Sequence, residues 1–192
     1  MRLVLAVAVF LAAAVPALAA PATVEVGDDF FNPGPTRVEP GETVTWNWNG
    51  VNSHTVQTRP RQIDRFNSGI KGGTGQSFLH AFKYRGRFRY YCAIHPDTMN
   101  ATVQVGDADT VAPRITRIRT RVSGSRVKVT FKLSERSVLT AKVGRKKVVK
   151  TFGPGKHAVR FKGLRAGLHR VRLSAKDGFG NVGKKSKRFR TG

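Results

Sequence analysis

The chain has 192 residues, with 35 Lys and Arg against 11 Asp and Glu, a formal net charge of +24 and one cysteine. This length accommodates one large domain or two small ones, and a hydrophobic content of 40% argues against wholesale disorder. One cysteine excludes an intramolecular disulfide framework and a cysteine-rich zinc ribbon, and five histidines are too few for the centres of a multicopper oxidase. A charge this high is typical of proteins that bind nucleic acids or anionic surfaces.

The N-terminus has the pattern of an export signal. Arg2 precedes an unbroken apolar run over residues 3–15, and residues 17–19 (Ala-Leu-Ala) have the small-x-small pattern of a signal peptidase site. We expect residues 1–19 to be a signal peptide, with no transmembrane segment after its cleavage. The alternative is an uncleaved anchor, because residues 3–20 are almost long enough to span a bilayer. We expect the protein to be secreted and to be either extracellular or periplasmic and associated with the cell envelope.

The charge is divided unevenly along the chain. Residues 20–106, the first module, carry nine basic and seven acidic residues, whereas residues 110–192 carry 25 basic residues against Glu135 and Asp177. This abrupt shift predicts a linker at residues 107–112 and a second module at residues 113–192.

Both modules have the pattern of β-structure, with short runs of β-branched and aromatic residues between Gly, Pro and Asn clusters. The strands predicted in the first module are Ala22–Val26, Thr43–Trp48, Gln76–Phe82, Arg87–Cys92 and Ala101–Val105. In the second module apolar and largely basic residues alternate, which is typical of half-buried strands. The runs there are 115–120, 127–133, 138–142, 159–161 and 171–175, and their spacing favours an antiparallel sandwich.

Cys92 begins a short segment that contains three potential metal ligands. His95 follows three residues later and Met99 four residues after that, so a thiolate, an imidazole and a thioether can converge at the end of one strand. Sulfur ligands with imidazole suit copper, and a His₂Cys site with a weak axial Met is used for electron transfer. His54, after the aromatic strand at residues 43–48, is the candidate second histidine. His80 lies in the middle of a predicted strand and is interpreted as structural.

These residues resemble the cupredoxin, or blue copper, family, which includes plastocyanin, pseudoazurin and amicyanin. The resemblance covers most of residues 22–105. It rests on Phe31 and Pro33, on Val38, Gly41, Thr43, Val44, Trp46 and His54 at family spacing, and on Phe82, Gly86, Phe88, Tyr90, Cys92, His95 and Met99. Many members have Asn and Asp where this chain has Trp48 and Gly50.

The resemblance implies a Greek-key β-sandwich that holds one type 1 copper ion per chain through His54, Cys92, His95 and Met99. It also implies that His95 reaches the surface and passes electrons to a docked redox partner, either donor or acceptor. No open coordination position or general base is evident, so we expect no enzymatic turnover. Arg85, Arg87 and Arg89 are interpreted as the solvated face of a strand in preference to a steering surface.

The second module resembles the immunoglobulin-like or fibronectin-III-like modules of exported bacterial proteins. The residues concerned are the Leu-x-x-Gly turn at 164–167 and the Ala-x-Asp-x-x-Gly-Asn turn at 175–181. Asp177 and Asn181 are interpreted as turn residues, since two ligands are too few for calcium. The basic residues either bind an anionic polymer of the cell envelope or form a solvated surface. Without interleaved aromatics or a recognition helix, no specific nucleic-acid binding is expected.

The sequence therefore predicts an all-β, exported type 1 copper protein that transfers one electron at a time between redox partners, with the second module as a basic tether or spacer. The alternatives are copper sequestration or delivery, and a non-enzymatic protein that binds polyanions of the cell envelope.

Overall fold

The computed structural model describes residues 22–192, and the predicted signal peptide lies outside the described residues. Residues 22–192 form sixteen strands and no helix, which confirms the all-β class. No helix with the length and apolarity needed to cross a membrane is found in the described part of the chain.

The first module is built from two sheets. One sheet contains, in spatial order, β2 (Phe30–Asn32), β1 (Ala22–Gly27), β4 (Thr43–Trp48) and β7 (Ser77–Ala81). The other contains β3 (Pro35–Val38), β9 (Asn100–Val105), β8 (Gly86–Tyr91), β5 (Ser53–Thr58) and β6 (Asn67–Gly72). Two pairs are parallel, β1 with β4 and β3 with β9. Both pairs join strands that are distant in sequence. Parallel strands cannot be joined by a tight hairpin turn, so no turn motif in the sequence indicates these pairs.

Aromatic side chains fill the core of the first module. Trp46, Phe82, Phe88 and Tyr90 are all at most 1% exposed. The Trp46 ring lies 5.5 Å from the Tyr90 ring in an edge-to-face arrangement, a geometry that adds to the stabilisation from apolar burial. This core packs the two sheets against each other, and the loops at one end of the sandwich extend from it.

The second module consists of two further sheets in which every pair of strands is antiparallel, as predicted. The three-stranded sheet has the order β10 (Ile115–Ser123), β11 (Arg126–Leu133), β14 (Gly155–Phe161). The four-stranded sheet has the order β13 (Lys146–Phe152), β12 (Ser137–Val143), β15 (Gly167–Lys176), β16 (Val182–Thr191). Alternate residues of β11, from Val127 to Leu133, are buried between the sheets.

Edge strands account for the elements that the sequence did not predict in the second module. β13 buries none of its residues, and β16 buries only Phe189 and Thr191. Each pairs with one neighbour only, so neither strand needs the apolar alternation by which half-buried strands are recognised. In the first module, β6 is likewise an edge strand with no buried residue.

The two modules are in direct contact across the predicted linker. Val138 of β12 packs into the hydrophobic core of the first module. The Arg136 guanidinium lies 3.9 Å from the centre of the Tyr84 ring, and its Nε donates a hydrogen bond to the Ile63 carbonyl at 3.1 Å. Residues 107–112 therefore join two modules that share an interface.

A glycine contact completes this interface. Gly178 lies so close to Gly86 and to the Arg85 carbonyl that any β-carbon at position 178 would collide with backbone atoms. The Arg87 N–H donates a hydrogen bond of 2.9 Å to the Gly178 carbonyl. Asp177, next to Gly178, accepts hydrogen bonds from the N–H groups of residues 179–181, which confirms the interpretation of this segment as a turn.

Three carboxylates meet beside the interface. Asp109, Glu135 and Asp177 each place an oxygen within 4.8 Å of the others. Burial, followed by the charges of Asp177 and Asp109, raises the pKa of Glu135. The interface is therefore expected to depend on pH.

Candidate metal centre

The potential ligands lie at one end of the first module, on β5 and on the loop between β8 and β9. β5 carries His54, whereas Cys92 immediately follows β8 and Met99 immediately precedes β9. Because β8 and β9 are antiparallel neighbours, the loop at residues 92–99 must return to its starting point. Two backbone hydrogen bonds of 3.0 Å close it, from Cys92 N–H to the Met99 carbonyl and from Met99 N–H to the His95 carbonyl.

Two imidazole nitrogens face the cysteine sulfur. The Cys92 Sγ atom lies 3.8 Å from His54 Nδ1 and 3.9 Å from His95 Nδ1. One donor atom from each of these three residues lies within 4.8 Å of the other two. His54 and Cys92 are fully buried, and the His95 side chain is 34% exposed. The structure therefore brings together three residues that are separated by up to 41 positions in the chain.

Met99, the fourth predicted ligand, is 1% exposed and lies at the end of the same loop. Its backbone is hydrogen-bonded to both Cys92 and His95, so its position along the chain is tied to theirs. Thioethers are weak donors, and an axial Met in such sites is held at a long distance.

The separations between donor atoms fit a metal ion. With bond lengths of about 2.0 Å to nitrogen and about 2.3 Å to sulfur, as for zinc, separations of 3.8 and 3.9 Å correspond to S–metal–N angles of about 125–130°. These angles are close to those of a trigonal site, the arrangement found with His₂Cys donors and copper. A role as metal ligand would also explain why the free thiol of Cys92 is fully buried.

Thr55 supports the cysteine sulfur. Its backbone N–H donates a hydrogen bond to Cys92 Sγ at 3.3 Å, and its Oγ1 accepts one from the Ala93 N–H at 2.7 Å. Hydrogen bonds to the cysteine sulfur tune the potential of copper–thiolate sites. The sequence offered no signal for this role, since a backbone N–H is present at almost every residue.

Asp28, in the turn between β1 and β2, supports His54. Its Oδ1 lies 3.6 Å from the buried His54 Nε2, which has no hydrogen-bond partner among residues 22–192. Hydrogen bonds from the Asn52 and Val51 N–H groups, together with His54, lower the pKa of Asp28. An ionised carboxylate facing Nε2 favours a proton on that nitrogen and leaves Nδ1 available to a metal.

Gly50 explains how Asp28 reaches this position. A β-carbon at residue 50 would collide with the Asp28 carboxylate. Many cupredoxins have an acidic residue where this chain has Gly50, and here the polar group near His54 comes from the turn between β1 and β2. Asp28 is not recognisable from the sequence, because its contact with His54 depends on the tertiary structure.

Asp29 contacts the second histidine. Its Oδ1 lies 3.1 Å from His95 Nδ1, the nitrogen that faces Cys92. Asp29 has a positive φ of 70°, a conformation that Asp adopts more often than most residues. A metal ion at Nδ1 would compete with this carboxylate for the same nitrogen.

Arg59, which immediately follows β5, anchors the ligand loop. Its guanidinium stacks 3.9 Å from the centre of the Tyr91 ring, and it donates hydrogen bonds to the Pro96 carbonyl, at 2.6 Å, and to Asn100 Oδ1. Asn100 in turn donates to the Pro96 carbonyl at 3.1 Å. The loop that carries His95 is therefore held on both sides.

The remaining candidates lie elsewhere. His80 pairs with Asp64 at 3.3 Å and packs against the Phe66 and Phe82 rings, in agreement with a structural role. Arg87 and Arg89 are exposed and alternate with buried residues, as expected for the outer face of a strand. They line a cleft of about 780 Å³ between the two modules.

Comparison with known proteins finds a similarity to copper-binding proteins in this part of the chain. Residues 19–106 match the model of the copper-binding proteins of the plastocyanin/azurin family. Similar solved structures include a purple cupredoxin from Nitrosopumilus maritimus, with 27% identity, 44% of this chain and 99% of that chain covered, and a TM-score of 0.40. Amicyanin from Paracoccus versutus has 27% identity, with 48% and 86% covered and a TM-score of 0.41. A copper-containing nitrite reductase from Thermus scotoductus has 24% identity, with 51% and 25% covered and a TM-score of 0.43.

Proposed function

We propose that the protein is an exported electron carrier in which His54, Cys92, His95 and Met99 would hold one type 1 copper ion. The observation that carries the proposal is the approach of two imidazole Nδ1 atoms to one buried cysteine sulfur at 3.8 and 3.9 Å. When bound, copper supplies a one-electron redox couple. The second module is proposed to be an immunoglobulin-like tether or spacer, for which its three- and four-stranded antiparallel sheets are the support.

The protein residues favour electron transfer because they restrict movement at the site. Thr55 and Asp28 orient the cysteine and the first histidine, while Arg59 and two backbone hydrogen bonds hold the ligand loop. Ligands fixed in this way change position little when the charge of the metal changes, which lowers the reorganisation barrier. Storage or delivery of copper would instead require the ligands to release it.

The surroundings of His95 suit contact with a redox partner. Unlike His54, His95 is partly exposed, and Ile94 beside it is 43% exposed. Phe30, next to Asp29, is 47% exposed, and Val51, whose N–H binds Asp28, is 78% exposed. These three apolar side chains belong to the segments around the site and give a partner an apolar surface close to the exposed ligand.

Titration of the purified mature protein with Cu(II) tests the site. An intense visible charge-transfer band is expected in the wild type and should be lost in Cys92→Ser. His80→Gln is the matched control, because His80 is a partly buried histidine that pairs with a carboxylate outside the site. The visible band of this variant should be unchanged. Absence of the band in the wild type, or its persistence in Cys92→Ser, would refute the assignment.

Voltammetry separates electron transfer from sequestration. A carrier should show a reversible one-electron couple, with copper retained in both oxidation states. Loss of copper to a Cu(I) chelator on reduction would favour the storage or delivery alternative.

A further inference from the structure

The outer surface of the four-stranded sheet in the second module carries a cluster of exposed cations. Opposite residues of antiparallel strands point to the same side of a sheet. Lys147, Lys142 and Arg172 lie side by side on β13, β12 and β15, and Arg170 lies opposite Arg188 on β16. We call this surface the basic face, defined by Lys142, Lys147, Arg170, Arg172, Lys184 and Arg188, all of which are exposed.

The protein does not neutralise the basic face. The four strands contain no Asp or Glu, and none of the four ion pairs found within residues 22–192 involves the second module. Like charges directly opposite one another destabilise a sheet, yet Lys142 faces both Lys147 and Arg172, and Arg170 faces Arg188. An anionic ligand would remove this repulsion.

Hydroxyl groups lie between the cations. Thr140, Ser174 and Ser186 line a shallow groove of about 590 Å³ together with Lys142, Arg172 and Lys184. Hydroxyl and ammonium donors with a guanidinium can reach the several oxygens of a tetrahedral phosphate from different directions. Arginine forks bind phosphate bidentately as well as carboxylate.

We propose that the basic face binds a linear polymer of phosphate groups. Neighbouring strands are about 4.8 Å apart, so the rows of cations can contact successive charges of an extended chain. No aromatic side chain is among the residues of the basic face or its groove, which disfavours the stacked bases of single-stranded nucleic acid. The inference rests on the second module alone and does not depend on the copper proposal.

Binding of fluorescently labelled linear inorganic polyphosphate to the full mature chain tests the inference. In 0.1 M salt the triple variant R170Q/R172Q/R188Q is expected to bind at least tenfold more weakly than the wild type. The slope of log affinity against log salt should fall by about 2, since each lost contact removes about 0.7 for a flexible polyanion. The matched control, R61Q/R65Q/R89Q, removes the same charge from exposed positions of the first module and should lose less than threefold.

A second variant and competing ligands make the test specific. K142Q/K147Q/K184Q removes three other charges of the basic face and should weaken binding to a similar extent if the first variant does not fold. Equal losses in the control variant, or tighter binding of polyglutamate, double-stranded DNA or anionic lipid vesicles than of polyphosphate, would overturn the proposal. Binding should be the same in copper-free Cys92→Ala, so failure of the copper site cannot be confused with failure of the basic face.

Discussion

Replacement of Arg136 by alanine should destabilise the first module, although Arg136 belongs to the second. Its guanidinium stacks on Tyr84 at 3.9 Å, and its Nε donates to the Ile63 carbonyl at 3.1 Å. Both partners lie in the first module. Arg136→Ala removes both contacts and leaves Val138, Gly178 and the rest of the interface unchanged.

The expected loss of stability follows from these two contacts. A partly exposed cation–π contact contributes about 1 kcal/mol, and a hydrogen bond from a charged donor contributes about 1.5 kcal/mol at the lower end of its range. Partial solvent exposure reduces the sum to about 2 kcal/mol. This loss corresponds to a decrease in Tm of about 4–8 °C if residues 22–192 unfold as one cooperative unit, and of about 8–16 °C if the first module unfolds alone.

Tryptophan fluorescence reports selectively on the first module, because the chain has two tryptophans and both Trp46 and Trp48 are buried there. Thermal unfolding followed by fluorescence should therefore show the lower Tm in Arg136→Ala. Arg136→Lys, which keeps the charge without the planar guanidinium, should have a Tm between those of the wild type and Arg136→Ala. Arg126→Ala, at an exposed position on β11, should have the Tm of the wild type. An unchanged fluorescence transition in Arg136→Ala would refute coupling between the modules.

Three further predictions concern the metal centre and the interface. Asp28→Asn should weaken copper binding by about 10- to 100-fold in competition titrations, because it removes the charge that orients His54, whereas Asp107→Asn should not. Met99→Leu should keep the visible band and raise the reduction potential measured by voltammetry, because loss of the thioether destabilises the oxidised ion; an unchanged potential would exclude Met99 as a ligand. Glu135→Gln should raise Tm at pH 7 and leave it unchanged near pH 3.5. Because the pKa of Glu135 is raised in the folded protein, its ionised carboxylate opposes folding as the pH rises above the ordinary value of 4.5. A higher Tm at both pH values would show that the charge of Glu135 is not the reason.

Most of the core strands were predictable because they bury alternate side chains. Thr43–Trp48 has the predicted bounds, and the strands that carry Phe88 and Val129 differ from prediction by few residues. Edge strands such as β13 and β16 were missed because a strand with one neighbour and an exposed surface tolerates almost any polar residue. The parallel pairs were missed because they join segments with no local turn between them.

In the metal centre, too, residues recognised by local spacing were predictable, and residues that depend on long-range packing were not. His54, Cys92, His95 and Met99 could be proposed because their spacing follows from one strand and one loop. Asp28 could not, since an acidic residue in a turn has no distinctive pattern until folding places it 3.6 Å from a histidine 26 positions away.

The sequence by itself determined the all-β class, the two modules with different charge and the residues of the candidate copper site. These properties depend on residue type and short-range spacing, which the chain displays directly. Only the tertiary structure decided that the modules share an interface through Arg136 and Gly178, that Asp28 lies beside His54, and that the cations of the second module form rows. Each of these depends on which distant segments pack together, and packing is a property of the whole core and of no single segment.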